Sequence, residues 1–194
     1  MDKLSYALGM SMASNLMNSG FRNLDVDSFV KAFTEIMQEA TPELSPQEAN
    51  QIIQEYFSRK QGEMLSENLE KGQKFLEENK NKESVVTLPS GLQYEILTEG
   101  SGPKPKATDK VRCHYHGTLI DGTVFDSSVQ RGQPAVFGVN QVIKGWVEAL
   151  QLMPVGSKWR LYIPSDLAYG ESGSGNSIQP NSALIFDVEL LGIE

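Results

Sequence analysis

The chain has 194 residues, 25 Asp and Glu against 17 Lys and Arg, and a formal net charge of −8. An acidic chain with no basic run is unsuited to a phosphate backbone, which is held by clustered Lys and Arg, so no nucleic-acid partner is expected. Its one cysteine, Cys113, cannot form an internal disulfide, and two histidines in the whole chain argue against a closed zinc site.

Length suggests one full domain with a smaller appendage, and the helical pattern places the appendage first. MDKLSYALGMSMASNL has polar and glycine interruptions every few residues, so it lacks the unbroken apolar core of a secretory signal. No later stretch is apolar for long enough to span a membrane. A reducing cytoplasm is therefore the default compartment, a periplasmic one being open to a longer precursor.

Leu4, Leu8, Met12 and Leu16 recur near the helical period and Gly20 follows as a stop, which predicts a first helix. Asp25 or Asp27 can cap a second, whose stripe is Phe29, Val30, Phe33, Ile36 and Met37, ending at the Thr41-Pro42 break. Ser45-Pro46-Gln47-Glu48 is the clearest helix start: a hydroxyl cap, a proline at the first helical position and a glutamate three residues on, the parts of a capping box. From there Ile52, Ile53, Tyr56, Phe57, Met64, Leu65, Leu69, Phe75 and Leu76 predict one long helix that dissolves in Asn79-Lys80-Asn81-Lys82. About 35 residues at 1.5 Å each span on the order of 50 Å.

Two short helices and one long one leave apolar faces that need cover. Met1, Met10, Met12, Met17, Met37 and Met64 lie here, leaving one of the seven methionines elsewhere, and flexible thioethers suit adaptable helix interfaces. A second copy of the chain or an intramolecular three-helix core would provide the cover, and dimerisation is the favoured expectation.

After the polar linker the apolar period changes to two: Leu92, Tyr94, Ile96; Val111, Cys113, Tyr115; Trp159, Leu161, Ile163; Leu184, Phe186, Val188, Leu190. These predict half-buried strands, with residues 145–153 as the one helix among them. The expected fold class is α+β. An all-α region over residues 1–82 ends in a long connecting helix, and residues 83–194 form an antiparallel β-sheet wrapped around one short α-helix.

Three segments of this second domain carry the chemistry: HYHGTLIDGTVFDSS (114–128), QVIKGWVEALQLMPVGSKW (141–159) and IPSDLAYGESGSGNSIQPNSALIFDVELL (163–191). In order and spacing, from about Gly91 to Leu191, they resemble the signature blocks of the FKBP-type peptidyl-prolyl cis-trans isomerases. With the helical extension in front, the whole chain is similar to the bacterial dimeric members, the macrophage infectivity potentiator group and its cytoplasmic relatives. The resemblance implies an FKBP-like sheet and an isomerase that assists protein folding with no cofactor and no metal. It also implies a homodimer through residues 1–82, unfolded or proline-containing polypeptides as partners, and macrolides such as tacrolimus or rapamycin as inhibitors. A chaperone or interaction module that holds X-Pro motifs, with turnover incidental, is the alternative from another class.

The residues themselves suit that chemistry. Rotation about an X-Pro bond faces roughly 18–20 kcal/mol because amide resonance is broken. No nucleophile or proton donor is needed. Apolar walls that strip water from the imide carbonyl favour the less polar twisted state, and a few placed polar groups hold the chain in a turn.

Carried over position by position, the resemblance makes Trp146 the floor beneath the proline ring and Tyr115, Phe125, Phe137, Val142, Ile143, Ile178 and Phe186 its walls. The Ile143 N–H and the Tyr169 hydroxyl would anchor substrate carbonyls. Asp126 would sit at the edge, oriented by Arg131, so that Asp126, Tyr169 and Ile143 are the expected catalytic groups. Without the motif, Trp146 and Phe186 would read as ordinary core, and Asp126 as a structural carboxylate.

Other features are read more plainly. Cys113 has no base or cation signalled beside it and is expected to be a buried small hydrophobe. His114 and His116 share a strand face opposite Tyr115, and two ligands without a third point to polar contacts rather than a metal. The glycines of residues 170–175 lack the lysine and the strand-to-helix context of a phosphate loop and read as a flexible loop beside the pocket. Where many family members carry an aromatic residue this chain has Ala135, and Ser174 and Ser177 stand where His and Ile are common, so the rim near Ile178 is thinner and macrolide affinity and the preference before proline are open.

Overall fold

The computed structural model describes residues 1–194, with four α-helices and seven β-strands. Backbone contacts gather them into two units, Met1–Tyr56 and Phe57–Glu194.

In the first unit, α1 (Lys3–Asn18) begins at Asp2, whose carboxylate accepts from the Ser5 N–H at 2.7 Å. It ends in a Schellman turn, the Phe21 N–H reaching the Leu16 carbonyl at 3.0 Å and the Gly20 N–H the Met17 carbonyl at 3.1 Å. That turn holds Gly20 at φ +90°, a left-handed conformation that glycine adopts without steric cost. Of the two candidate caps for α2 (Val26–Met37), Asp25 is used, its carboxylate accepting from the Ser28 N–H at 2.8 Å.

α3 (Pro46–Asn79) starts at the expected capping box, the Glu48 N–H donating to Ser45 Oγ at 3.3 Å and the Ser45 N–H to the Glu48 carboxylate at 2.9 Å. No residue of α1 or α2 is buried. Their apolar stripes remain open, Phe33 being 44% and Met37 69% exposed.

The covered face of α3 differs from its apolar stripe. Ile52, Ile53, Phe57, Met64 and Leu69 are exposed, whereas Leu65, Asn68, Gly72, Phe75, Leu76 and Asn79 are half-buried or buried at three- and four-residue spacing. Packing within the second unit decides this. Asn79 Nδ2 donates to Gln93 Oε1 at 2.9 Å, Gln93 Nε2 donates to the Leu76 carbonyl at 2.8 Å, and the Phe75 ring lies 5.9 Å from Tyr162. Polar and small residues share the covered side with Leu65, Phe75 and Leu76 because it meets hydrogen-bonding partners as well as apolar ones.

The strands are β1 (Val85–Thr87), β2 (Gln93–Thr98), β3 (Lys110–Leu119), β4 (Val124–Ser127), β5 (Ala135–Gly138), β6 (Lys158–Ile163) and β7 (Leu184–Ile193). They form one antiparallel sheet in the order β1-β2-β6-β7-β3-β4, with β5 also on β3. α4 (Lys144–Leu152) buries Gly145, Trp146, Ala149 and Leu150. A Cβ on Gly145 would stand 2.6 Å from Ile163 Cγ2, so this glycine is what lets the helix approach β6.

Alternation holds along β3 and β7, where Val111, Cys113, Leu184, Val188 and Leu190 are fully or almost fully buried. Burying each aliphatic side chain contributes about 1.5–3 kcal/mol. Ile96 keeps its register, opposite Trp159, yet is 47% exposed near the end of β2, just before the β2–β6 register shifts. Across β6 and β7, Arg160 grips Asp187 through two bonds of 2.6 and 2.8 Å, which hold the guanidinium's pKa above its ordinary value.

Candidate active site

A cavity of about 720 Å³ opens in the second unit, bounded by β3, β4, β5, α4 and the segment that leads into β7. Trp146 lies at the inner end of α4, 4% exposed. Three rings meet it edge-on or nearly so: Tyr115 at 5.5 Å and 82°, Phe137 at 5.7 Å and 81°, Phe186 at 5.3 Å and 84°. Phe125 abuts Phe186 in the same manner at 5.3 Å and 81°. Edge-to-face pairs of this kind fix ring orientation beyond what area burial alone does.

Strand geometry explains the set. Tyr115 faces inward between Cys113 and Gly117 on β3, and Gly117 is paired with Phe186 on β7 and Asp126 on β4. A side chain at Gly117 would collide with the rings of Phe125 and Phe186 at 2.7–2.8 Å, so a glycine there makes room for both walls.

Asp126 is the one charged residue on the cavity lining. The Tyr115 hydroxyl donates to its Oδ2 at 2.5 Å, Arg131 Nη1 donates to its Oδ1, and Arg131 Nη2 donates to the Tyr115 oxygen at 2.8 Å. Partial burial would raise the Asp126 pKa, but the bonds from Tyr115 and Arg131 and the guanidinium charge outweigh it and hold the carboxyl below its usual value. Burial pushes the Tyr115 hydroxyl up, and its bond to Asp126 adds to the rise. Tyr169, 39% exposed, is also raised, first by burial and then by the Asp126 charge, so it remains a neutral donor. No backbone acceptor takes the Ile143 N–H, while its carbonyl begins α4 by accepting from Trp146 and Val147.

Every residue expected at the pocket except Arg131 lines this cavity: Tyr115, Phe125, Asp126, Phe137, Val142, Ile143, Trp146, Tyr169, Ile178 and Phe186. Arg131 is not on the lining and bonds Asp126 and Tyr115 instead. Ser174 and Ser177 are on the rim as expected, and Gln141 and Gly175 join them unanticipated. Gln141 leaves little trace in sequence because it sits in a short 3₁₀ turn, Val139–Gln141, where no periodicity marks the inward side. His114 and His116 each place Nδ1 3.0 Å from a hydroxyl, of Ser128 and Ser127 respectively. Ser128 also accepts from the Tyr115 N–H at 2.7 Å, which fastens β3 beside the site. Cys113 is wholly buried and its thiol is pushed up to about 12 by burial.

The cavity is thus an aromatic well on an antiparallel sheet, floored by a helix-borne tryptophan and edged by one carboxylate paired with Arg131. The chain belongs to the FKBP-type peptidyl-prolyl cis-trans isomerases: that family matches residues 102–191, and the domain found amino-terminal to it matches residues 1–96. The FKBP-type 22 kDa peptidyl-prolyl cis-trans isomerase of Escherichia coli is 46% identical over 192 residues, covering 97% of this chain and 93% of that one. The outer membrane protein MIP of Legionella longbeachae is 42% identical over 200 residues, covering 100% and 85%. The crystal structure of FkpA from Escherichia coli superposes with a TM-score of 0.82 at 37% identity, over 99% of this chain and 95% of that one. The protein is thus a peptidyl-prolyl cis-trans isomerase, with the helical region in front of an FKBP domain that its family shares.

Proposed function

We propose that the cavity seats the proline ring of an unfolded or proline-containing polypeptide on Trp146, between Tyr115, Phe125, Phe137, Val142, Ile143, Ile178 and Phe186, and that the Ile143 N–H and the Tyr169 hydroxyl hold the carbonyls on either side of the rotating bond. The three rings standing edge-on to a buried Trp146 carry this reading. The walls remove water from the imide carbonyl, which raises the planar state relative to the twisted one. Each hydrogen bond made more strongly in the twisted state contributes about 1–3 kcal/mol, or roughly 5- to 150-fold in rate. Asp126 stays ionised at the edge, its charge balanced by Arg131 and its orientation held by the Tyr115 hydroxyl. Turnover of a proline tetrapeptide tests the site: Trp146→Ala should lose most of it, and a variant as fast as the wild type would move the site elsewhere.

Folding assistance follows from the same activity on chains trapped with a wrong X-Pro isomer. Residues 1–82 act as a dimerisation region in this proposal, because the stripes of α1 and α2 are left uncovered by their own unit. Two sites on one dimer raise the effective concentration for a client with several prolines. Holding such clients without turnover is the second reading, favoured by the same open stripes; it requires client protection to survive Trp146→Ala. Tacrolimus and rapamycin would enter the same cavity, against a rim where Ser174 and Ser177 offer little bulk, while Ala135 pairs with Cys113 and does not line it. No helix is long and apolar enough to cross a membrane. We place the protein in the cytoplasm, while a relative named as an outer membrane protein gives the periplasm as the alternative, which cell fractionation decides.

A further inference from the structure

We propose that α3 is a strap on the rim of the isomerase site: Leu65, Asn68 and Gly72 fix residues 170–181, the segment that brings Ile178 to the cavity, and so set which residue before proline is accepted. The segment closes on itself first. The Asn181 N–H donates to the Gly170 carbonyl at 2.8 Å, and Ser174 and Ile178 exchange backbone bonds of 2.8 and 3.1 Å. This leaves the closed loop to be located by what it touches outside.

Ile178 packs into the core, and the loop's side-chain hydrogen bonds to the rest of the chain go to α3. Asn68 Nδ2 donates to the Pro180 carbonyl at 2.9 Å, and Asn181 Nδ2 donates to the Leu65 carbonyl at 3.2 Å. One turn further along the same face, a Cβ on Gly72 would stand 3.1 Å from Ala183 Cβ, so the helix and the root of the loop are already at closest approach. Asn181 is 9% exposed and sits at φ +57°, a conformation asparagine tolerates better than most residues. Its buried amide directs an N–H to the helix at that cost.

The rim offers little bulk of its own, since Ser174, Gly175 and Ser177 line the cavity beside Ile178. Its width therefore depends on where the backbone is held rather than on side chains that could adjust. A loop shifted by a lost strap bond changes the room beside the proline ring and leaves the Trp146 floor in place. None of the strap residues lines the cavity. They are positioning residues, and they make the second half of α3 a functional part of the isomerase.

The inference rests on the cavity being the proline site, so the chain of residues 1–194 is assayed with two variants for the strap and one for the site. Tetrapeptides with Ala, Leu, Phe or Glu before proline are turned over by wild type, Asn68→Ala, Asn181→Gly and Trp146→Ala. Asn181→Gly tolerates the left-handed backbone and removes the side chain that bonds the helix, so it serves even if Asn68→Ala folds poorly. The strap predicts that both Asn variants change the Leu-to-Ala ratio of kcat/KM by about 2- to 12-fold, chiefly through KM. Trp146→Ala should lower all four peptides together. An unchanged peptide ratio in both Asn variants, or a uniform fall that tracks the loss of folded protein, overturns the strap. A Trp146→Ala variant with full turnover overturns the site reading and the strap with it.

Discussion

Gly117→Ala concentrates the argument about the site in one methyl group. The added Cβ would stand 2.7 Å from Phe125 Cε2 and Cζ and 2.8 Å from Phe186 Cε1, against about 3.5–4.0 Å for carbon atoms at rest. The rings must retreat by roughly 0.7–1.3 Å, because the backbone is held on both sides by β7 and β4. Overpacking of this size costs about 1–3 kcal/mol, offset by about 0.4–1 kcal/mol from the reduced freedom of the unfolded chain. We expect a net loss of about 1–2 kcal/mol in urea unfolding. Since Phe186 lies against Trp146, kcat/KM on a proline tetrapeptide should fall about tenfold or more. Gly62→Ala, on an exposed helical position with open space around it, is the comparison and should be neutral or stabilising. Wild-type turnover in Gly117→Ala, with or without a loss of stability, would refute the link between wall position and catalysis.

Asp126→Asn keeps the shape of the carboxyl and removes its charge, leaving Arg131 without its anion; with the two side chains 43% and 53% exposed, solvent screening reduces the effect to about 1 kcal/mol, read as a roughly fivefold lower kcat/KM. Arg131→Ala should cost less, since the Tyr115 bond to Asp126 remains. The pH profile should be flat from about pH 5 to 9. A carboxyl whose folded pKa is depressed gives its stabilisation above the unfolded value near 3.8 and loses it as pH falls through the lower folded one, while the raised tyrosines keep their protons through pH 9; an inflection near pH 7 in kcat/KM would contradict this. Sedimentation at micromolar concentration should give twice the 21.4 kDa chain mass, and Phe33→Asp with Met37→Asp on the open face of α2 should shift it toward the single chain.

The sequence was most legible where periodicity or capping has a single physical cause. The Ser45–Glu48 box located the start of α3 to the residue, and alternation along β3 and β7 gave the buried side of both central strands. Motif spacing gathered the cavity lining, although only the fold could put Phe137 and Phe186 on two sides of one indole. Strands of three or four residues, β1, β4 and β5, are too short to carry an alternating signal and exist because a long neighbour offers them partners. The covered face of α3 was legible at Leu65, Phe75 and Leu76 but not at its polar and small positions. Asn68, Gly72 and Asn79 are covered for their hydrogen bonds or small size, and a search for apolar stripes passes over such residues. Gln141 likewise reaches the cavity from a turn that has no period to read.

Cys113 has a use beyond packing. It is the sole thiol, wholly buried on β3 between Ala135 of β5 and Leu190 of β7, and protonated until about pH 12. A thiol reagent can attack only after those strands part, so its rate of labelling reads the opening of the core in native buffer. Anything that occupies the cavity of the closed form alone must slow that rate, by roughly a hundredfold at a concentration a hundred times its dissociation constant. The enzyme thus carries an intrinsic gauge of ligand occupancy that needs neither a chromophore nor turnover.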